Sequence, residues 1–256
     1  MSLHGPSAPT IWSSFRLSEP LPVYYIASGF DHPEWPVVGT DNPAEIVFAS
    51  WGLVPRWVRS EEDAVAIRNK TLNARAETLF AKPAFRDAAR TGRCLVLVTG
   101  FYESHKHAGH SYPFFCHLEG GRPFMLAGVL ARSDVGGRSA GAPGKEAGGS
   151  PAEGPVARSH VGGRLTFSVV TTAANELMGR VHNEKKRMPV IFESEERALP
   201  WIDRGLSPAA AGELLEPRDI PGLAAHPVTR MVFARGEDKN VPEIQTRVDY
   251  PELDMA

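Results

Sequence analysis

Three polar side chains alternate along the segment LNARAET, residues 72–78, and they are the first candidates for chemistry. Asn73, Arg75 and Glu77 occupy every second position, with alanines between them. In an extended segment such residues share one face, and the small alanines let another backbone approach the opposite face. The spacing favours one wall of an active site, although an ordinary polar strand face has the same pattern.

Two titratable side chains in distant segments could supply general acid–base catalysis. Glu103 follows the apolar run 94–98, and partial burial of a carboxylate raises its pKa toward the range useful for proton transfer. His182 lies at a predicted helix end, and histidine titrates near neutral pH. Taken singly, a solvated glutamate and a structural histidine are the plainer interpretations of these two residues.

Composition bounds the classes that the chain can belong to. With 256 residues, 42% hydrophobic content and a net charge of -2, it has the composition of a globular protein without a generally basic surface. Neither a run of eighteen apolar residues nor a secretory signal pattern occurs, so we expect a cytoplasmic protein without a membrane segment. Cys94 and Cys116 lie in apolar runs, which predicts buried reduced thiols.

Positive charge is concentrated in one part of the sequence. Residues 51–93 contain nine Lys or Arg against five Asp or Glu. A local excess of this kind is the electrostatic pattern expected of a nucleic-acid-binding face. Charged helix surfaces with no binding role remain the alternative.

The predicted elements describe a sheet-rich α+β protein. Strands are expected at 46–51, 94–98, 113–118, 124–130, 165–171 and 188–192. Helices are expected at 61–70 with Ser60 as the cap, and at 83–92, 173–181, 194–202 and 207–215. Residues 133–164 contain nine of the 24 glycines, which predicts a flexible insertion between two strands of a single domain spanning 1–256.

A histidine cluster invites a metal-site hypothesis. His105, His107 and His110 occur in SHKHAGH, between two predicted strands. Structural zinc sites usually need four well-spaced ligands, commonly including cysteine. A solvated hairpin turn is the simpler account, so we expect neither a metal nor a cofactor.

Taken together, these segments resemble the SRAP family of SOS-response-associated peptidases, whose members form covalent links to abasic sites in single-stranded DNA. The similarity extends in order over residues 23–253, apart from the insertion. Six blocks carry it: WGLVPRW (51–57), LNARAET (72–78), KPAFR (82–86), RCLVLVTGFYE (93–103), TFSVVTTAAN (166–175) and VHNEKKRMPVI (181–191). The resemblance implies a barrel-like, mostly antiparallel fold with peripheral helices, acting as a monomer on abasic single-stranded DNA in the DNA-damage response.

The resemblance also implies roles for single residues. In the family, an N-terminal cysteine exposed by removal of the initiator methionine attacks the abasic aldehyde through its amine and thiol, giving a thiazolidine. Asn73 would position the sugar or the N-terminus, Glu103 would move protons at the amine and ring oxygen, and His182 would act on the sugar hydroxyl and in reversal. The DNA-binding residues implied are phosphate ligands Arg75, Arg187 and Thr171, and an apolar wall of Trp51 and Pro55.

Position 2 departs from the family pattern, because it is Ser2 where the resemblance implies cysteine. Residues 1–21 as a whole lack the N-terminal sequence that is usual in the family. Three alternatives account for the serine. The start of the sequence is misassigned, or the nucleophile has been lost and a catalytically silent DNA-binding protein remains, or the Ser2 amine itself carries out Schiff-base chemistry. The family's name also suggests a thiol peptidase, and the serine at position 2 weakens that hypothesis most. Ser104 also stands where many relatives carry an aromatic residue.

Overall fold

The computed structural model describes residues 1–5, 14–16, 21, 23–135, 163–234 and 239–253. The strands among these residues are β1 (Ser2–His4), β2 (Ala27–Ser28), β3 (Glu34–Gly39), β4 (Asn42–Trp51), β5 (Asn73–Arg75), β6 (Arg93–Val98), β7 (Gly100–His107), β8 (His110–Leu118), β9 (Phe124–Ser133), β10 (Arg164–Ala173), β11 (Arg187–Pro189), β12 (Ile191–Phe192) and β13 (Leu223–Pro227). The α-helices are α1 (Glu61–Arg68), α2 (Arg86–Thr91), α3 (Glu176–Val181), α4 (Glu195–Ala198) and α5 (Pro208–Leu214).

Five strands close into a ring, which confirms the expected barrel-like α+β fold. The hydrogen-bonded order β10–β4–β3–β6–β9 returns to β10, because β9 and β10 pair with each other. The pairings within the ring are antiparallel except for the parallel contact between β10 and β4. β5 and β11 also pair with β10, so this strand connects several segments of the candidate site.

A second sheet, in the order β13–β8–β7–β1–β2, packs beside the ring. Its residues alternate between two faces, as a strand requires. Phe101 of β7 belongs to the main core with Leu3, whereas the next residue, Tyr102, packs in a separate cluster with Phe115. Glu103, one residue further along, therefore shares the core-side face of Phe101.

The helices lie where local signals predict them, although most are shorter. Ser60 caps α1, since its hydroxyl accepts a hydrogen bond from the Asp63 amide at 3.1 Å. The helix predicted at 83–92 is confined to Arg86–Thr91, and the one at 194–202 ends in a 3-10 turn, Leu199–Ile202. None of the helices in the described ranges is long and apolar enough to cross a membrane.

Two strand predictions need correction. The single strand expected at 188–192 is two strands, because β11 pairs with β10 while β12 pairs with β9. Between them, the Val190 amide donates to Val170 and its carbonyl accepts from Ala127. Glu103, expected directly after the strand that contains the apolar run 94–98, lies within the next strand, β7.

The predicted insertion falls largely outside the described residues. Its flanks are described: β9 ends at Ser133 and β10 begins at Arg164, and these two residues face each other in the antiparallel pairing. Residues 133–164 thus connect two neighbouring strands, as expected. The stretch 136–162 lies outside the described residues, so its predicted flexibility stays a prediction.

Candidate active site

Glu103 and His182 come together although 79 positions separate them in the sequence. Glu103 Oε2 lies 3.6 Å from His182 Nδ1, and their side chains are 11% and 17% exposed. His182 is the C-terminal cap of α3, where its amide bonds to the Met178 carbonyl. The fold therefore pairs a carboxylate with an imidazole in a largely buried position.

The hydrogen bonds of His182 define its tautomer. Its Nδ1 lies 3.0 Å from the backbone carbonyl oxygen of Arg187. Because a carbonyl oxygen only accepts hydrogen bonds, Nδ1 carries a proton in this arrangement. Nε2 is then the nitrogen that can take up a second proton. The pair has the composition of a general acid–base centre.

A reciprocal pair of hydrogen bonds fixes the hairpin that carries Glu103 against the end of α3. Asn183 accepts from the Lys106 amide at 2.9 Å and donates to the Lys106 carbonyl at 2.7 Å. His105, which is 8% exposed, lies with Nδ1 2.9 Å from the Arg180 carbonyl oxygen. Sequence reasoning missed these positioning roles, and its solvated-turn hypothesis is wrong for His105, since that side chain is buried.

The remainder of the histidine cluster is exposed at the hairpin tip. His107 and His110 face each other across the β7–β8 turn. Among the described residues, no group of three or more His, Cys, Asp or Glu side chains is arranged to hold a metal ion.

The alternation predicted for LNARAET holds over its first part. Asn73 and Arg75 are exposed on β5, while Ala74 between them is fully buried. β5 lies parallel to β10, with Asn73 opposite Val169 and Arg75 opposite Thr171. Glu77 departs from the expected extended face, because the chain turns into a 3-10 helix at Ala76–Thr78.

Glu77 instead forms a bidentate ion pair with Arg187. The Nη2 atom of Arg187 lies 3.0 Å from Glu77 Oε2, and its Nη1 atom bonds to Oε1. Nη2 also donates to the Thr171 carbonyl at 2.7 Å and contacts its hydroxyl at 3.3 Å. The Arg187 guanidinium holds the pKa of the Glu77 carboxyl below its usual range. Arg187 and Thr171, both predicted as phosphate ligands, therefore lie together.

The N-terminal residues lie beside Glu103. Ser2 pairs with Tyr102 in the antiparallel contact between β1 and β7. Met1, Ser2, Tyr102 and Glu103 all line one groove of about 690 Å³. The position at which the resemblance implies a nucleophile and the candidate proton-transfer residue thus border the same groove.

Two residues predicted to contact DNA lie in the interior. Trp51 is fully buried, its ring stacks on Phe167, and its Nε1 donates to the Leu72 carbonyl at 2.8 Å. Pro55 is buried as well. The apolar wall expected from these two residues is therefore not at the surface. By contrast Trp57, in the same WGLVPRW segment, is 52% exposed.

The two cysteines are buried free thiols, as predicted. Burial raises the pKa of the Cys94 thiol and of the Cys116 thiol well above the ordinary value. Neither sulfur is therefore suited to act as a thiolate nucleophile.

The basic segment 51–93 is mostly, but not wholly, at the surface. Its cations are exposed except for Arg68, which is half-buried, and Arg93, which is 2% exposed. Arg93 donates to the backbone carbonyls of Trp201 and Asp203, so it holds the fold together rather than adding to a DNA-binding face.

A ring of strands with a second sheet beside it, and a largely buried carboxylate–imidazole pair between β7 and the end of α3, defines an α+β protein with a candidate active site. A model of the SOS response associated peptidase (SRAP) family matches residues 16–234, so the chain belongs to the SRAP family.

Characterised relatives and solved structures agree with that assignment. Abasic site processing protein YoqW of Bacillus subtilis is 28% identical over 231 residues, covering 86% of this chain and 88% of the relative. Abasic site processing protein HMCES of Gallus gallus is 28% identical over 202 residues, covering 71% of this chain and 52% of the relative. A Bacteroides thetaiotaomicron crystal structure superposes with a TM-score of 0.72 at 31% identity, covering 88% of this chain and 85% of that one.

Proposed function

We propose that this protein recognises abasic sites in single-stranded DNA and processes them at the site formed by Glu103 and His182. The observation that carries the proposal is the buried contact of 3.6 Å between these side chains, close to the start of the chain. The names of the relatives, abasic site processing proteins, support the substrate class.

The chemistry suited to this site begins with an amine. An abasic nucleotide has a ring-opened aldehyde, and the α-amine of residue 2, once Met1 is removed, adds to it to form a carbon–nitrogen bond. Loss of water then gives an imine. Glu103 accepts a proton from the α-ammonium, which frees the amine to attack the aldehyde, and His182 exchanges a proton with the sugar hydroxyl through Nε2. A thiol at residue 2 would close the imine to a thiazolidine, whereas the Ser2 hydroxyl closes to a weaker five-membered adduct.

In this proposal, positively charged and polar side chains on β5, β10 and β11 bind the DNA backbone. Arg75 is exposed beside Thr171, and Arg187 lies one strand away. Asn73 lies two residues before Arg75 on the same exposed face, where its amide suits hydrogen bonding to the sugar. Phosphate binding by such cations is independent of base sequence and sensitive to salt. We propose that the protein acts as a monomer.

Serine at position 2 favours a second candidate, a single-strand DNA-binding protein that forms no covalent link. The described cysteines do not support a thiol peptidase, since both are buried with raised thiol pKa values.

One experiment separates these functions. Wild-type protein, Ser2→Cys, and Ser2→Cys combined with Glu103→Gln or His182→Gln are incubated with abasic single-stranded DNA and run on a denaturing gel. We expect a heat-stable adduct with Ser2→Cys that forms more slowly in both combined variants. His107→Gln, which changes an exposed histidine on the same hairpin, is the matched control and should react like the parent.

The outcomes differ for each hypothesis. No adduct with Ser2→Cys, on protein that binds the DNA, would refute the crosslinking chemistry. For the wild-type protein, borohydride trapping of an imine supports reaction through the Ser2 amine, whereas salt-sensitive binding without a trapped species identifies the silent binding protein.

A further inference from the structure

Two phenylalanine rings are exposed on the walls of the groove that contains Met1, Ser2 and Glu103. Phe30 is 68% exposed and Phe233 is 44% exposed, and both line this groove. Large apolar side chains exposed together beside a cleft commonly mark a binding surface. These rings are therefore candidates for contact with whatever enters the groove.

Local hydrogen bonds present both rings outward. Phe30 lies in the 3-10 turn Gly29–Asp31, and its amide donates to the Ser28 hydroxyl at 3.3 Å. Phe233 ends the 3-10 turn Arg230–Phe233, which the Thr229 hydroxyl caps. Short capped turns fix the backbone directions from which the two rings extend, so the rings are exposed on ordered backbone.

The polar groups of the groove favour a nucleobase over a phosphate. Asp31 and Glu103 both border the groove, and their negative charges disfavour a phosphate there. The ammonium of Lys239 already donates to the Val232 carbonyl at 3.1 Å. A base has two π-faces that stack on aromatic rings and N–H groups that donate to carboxylates. A cavity of about 690 Å³ lies within the range that holds small organic groups.

We propose that Phe30 and Phe233 form a stacking subsite for the unpaired base next to the abasic nucleotide. The proposal rests on the proposed function, because the groove is continuous with Ser2 and Glu103, where the abasic sugar would react. Ser104, which also lines the groove, offers no ring for stacking, so the rings from the two turns supply it. The subsite holds the neighbouring base while the sugar lies at Glu103.

The test is equilibrium binding of short single-stranded oligonucleotides that carry a stable tetrahydrofuran abasic analogue. One oligonucleotide has normal bases on both sides of the analogue, and a second has further analogues in place of those two bases. Phe30→Ala, Phe233→Ala, the double variant and Phe30→Trp are compared with the wild-type protein by fluorescence anisotropy. Val65→Ala is the matched control, because Val65 is 56% exposed on α1 outside the groove.

We expect the double alanine variant to bind the first oligonucleotide about tenfold or more weakly, in keeping with the contribution of one stacked base. On the second oligonucleotide its loss should be under twofold, and Phe30→Trp should bind the first at least as tightly as the wild-type protein. A 2-aminopurine placed beside the analogue should be quenched by the wild-type protein and less by the double variant.

The results distinguish failure of this inference from failure of the proposed function. If the wild-type protein does not bind either oligonucleotide, the proposed function itself is wrong. If the wild-type protein binds, two results refute the stacking subsite. In one, the double variant binds both oligonucleotides as tightly as the wild-type protein does. In the other, its affinity falls by the same factor for both oligonucleotides. Unchanged thermal midpoints in all variants show that the comparison concerns binding, since both rings are at the surface.

Discussion

Acid should weaken the attachment of β1, the strand that carries Ser2, through the partly buried histidine His4. Burial lowers the pKa of His4 from 6.5 to about 4. Its Nδ1 contacts the Thr99 hydroxyl, and its ring packs against Tyr25 and Phe115. The folded protein thus favours the neutral imidazole, whereas the unfolded chain takes up a proton near pH 6.5.

The sign and size of the effect follow from linkage. Between pH 6.5 and pH 4 the unfolded state binds more protons at His4, so the free energy of unfolding falls as the pH is lowered through this window. Above pH 6.5 His4 does not change the free energy of unfolding with pH, and below pH 4 the whole destabilisation has been reached. A pKa lowered from 6.5 to about 4 corresponds to a loss of about 3 kcal/mol at low pH, of which about 2 kcal/mol is reached at pH 5.

Urea denaturation at pH 8 and pH 5 measures the effect. We expect the wild-type protein to lose about 2 kcal/mol more than His4→Gln between these pH values. His110→Gln, which changes an exposed histidine, is the control and should follow the wild-type protein. Equal losses for the wild-type protein and His4→Gln would refute the reasoning, because His4 would then not be neutral and partly buried in the folded state.

Two further predictions concern packing and charge. In Gly92→Ala the added methyl would lie 2.2 Å from the Leu130 carbonyl oxygen, so chemical denaturation should show a free energy of unfolding lower by about 1–3 kcal/mol. The control is Gly212→Ala, where the added methyl has no atom within 4 Å, and this change should be neutral or slightly stabilising. Equal effects of the two substitutions would contradict the clash. Glu77→Gln removes the carboxylate that occupies the Arg187 guanidinium, so it should tighten single-stranded DNA binding and steepen its salt dependence by about one phosphate contact. Weaker binding by Glu77→Gln in anisotropy titrations would mean that the ion pair is needed to hold Arg187 in place.

Local signals in the sequence predicted local structure well. Ser60 and the acidic residues after it predict the start of α1, because the cap hydrogen bond and the helix dipole act within one turn. The alternation of Asn73 and Arg75 about buried Ala74 is equally local, since neighbouring side chains of a strand point to opposite faces. These features need no knowledge of what packs against them.

Features that depend on distant partners were not predictable in the same way. Nothing near Trp51 in the sequence shows that its ring will stack on Phe167 in the core rather than face solvent. The hydropathy of Phe30 predicts burial, but its turn leaves it 68% exposed. The closure of the ring through β9 and β10 is also a long-range event, because two strands on either side of residues 133–164 must pair.

The chain between His182 and Arg187 folds back on itself. The Lys186 amide bonds to the His182 carbonyl at 2.8 Å, and its carbonyl accepts from Ala174 at 3.0 Å. Lys186 has a φ of 49°, in the left-handed region, which turns the chain back on itself. Arg187 therefore returns to His182 despite the residues between them.

This return lets one residue serve both parts of the site. The Arg187 carbonyl fixes the proton on His182 Nδ1, while its guanidinium binds Glu77 and Thr171 on the side of β5 and β10. The backbone contact belongs to the proposed proton-transfer site, and the side-chain contact belongs to the proposed phosphate surface. Because β11 holds Arg187 in register with Ala173, a shift of this strand would disturb both at once. In the proposed complex, a phosphate bound by the Arg187 guanidinium would therefore lie on the same residue whose carbonyl orients His182.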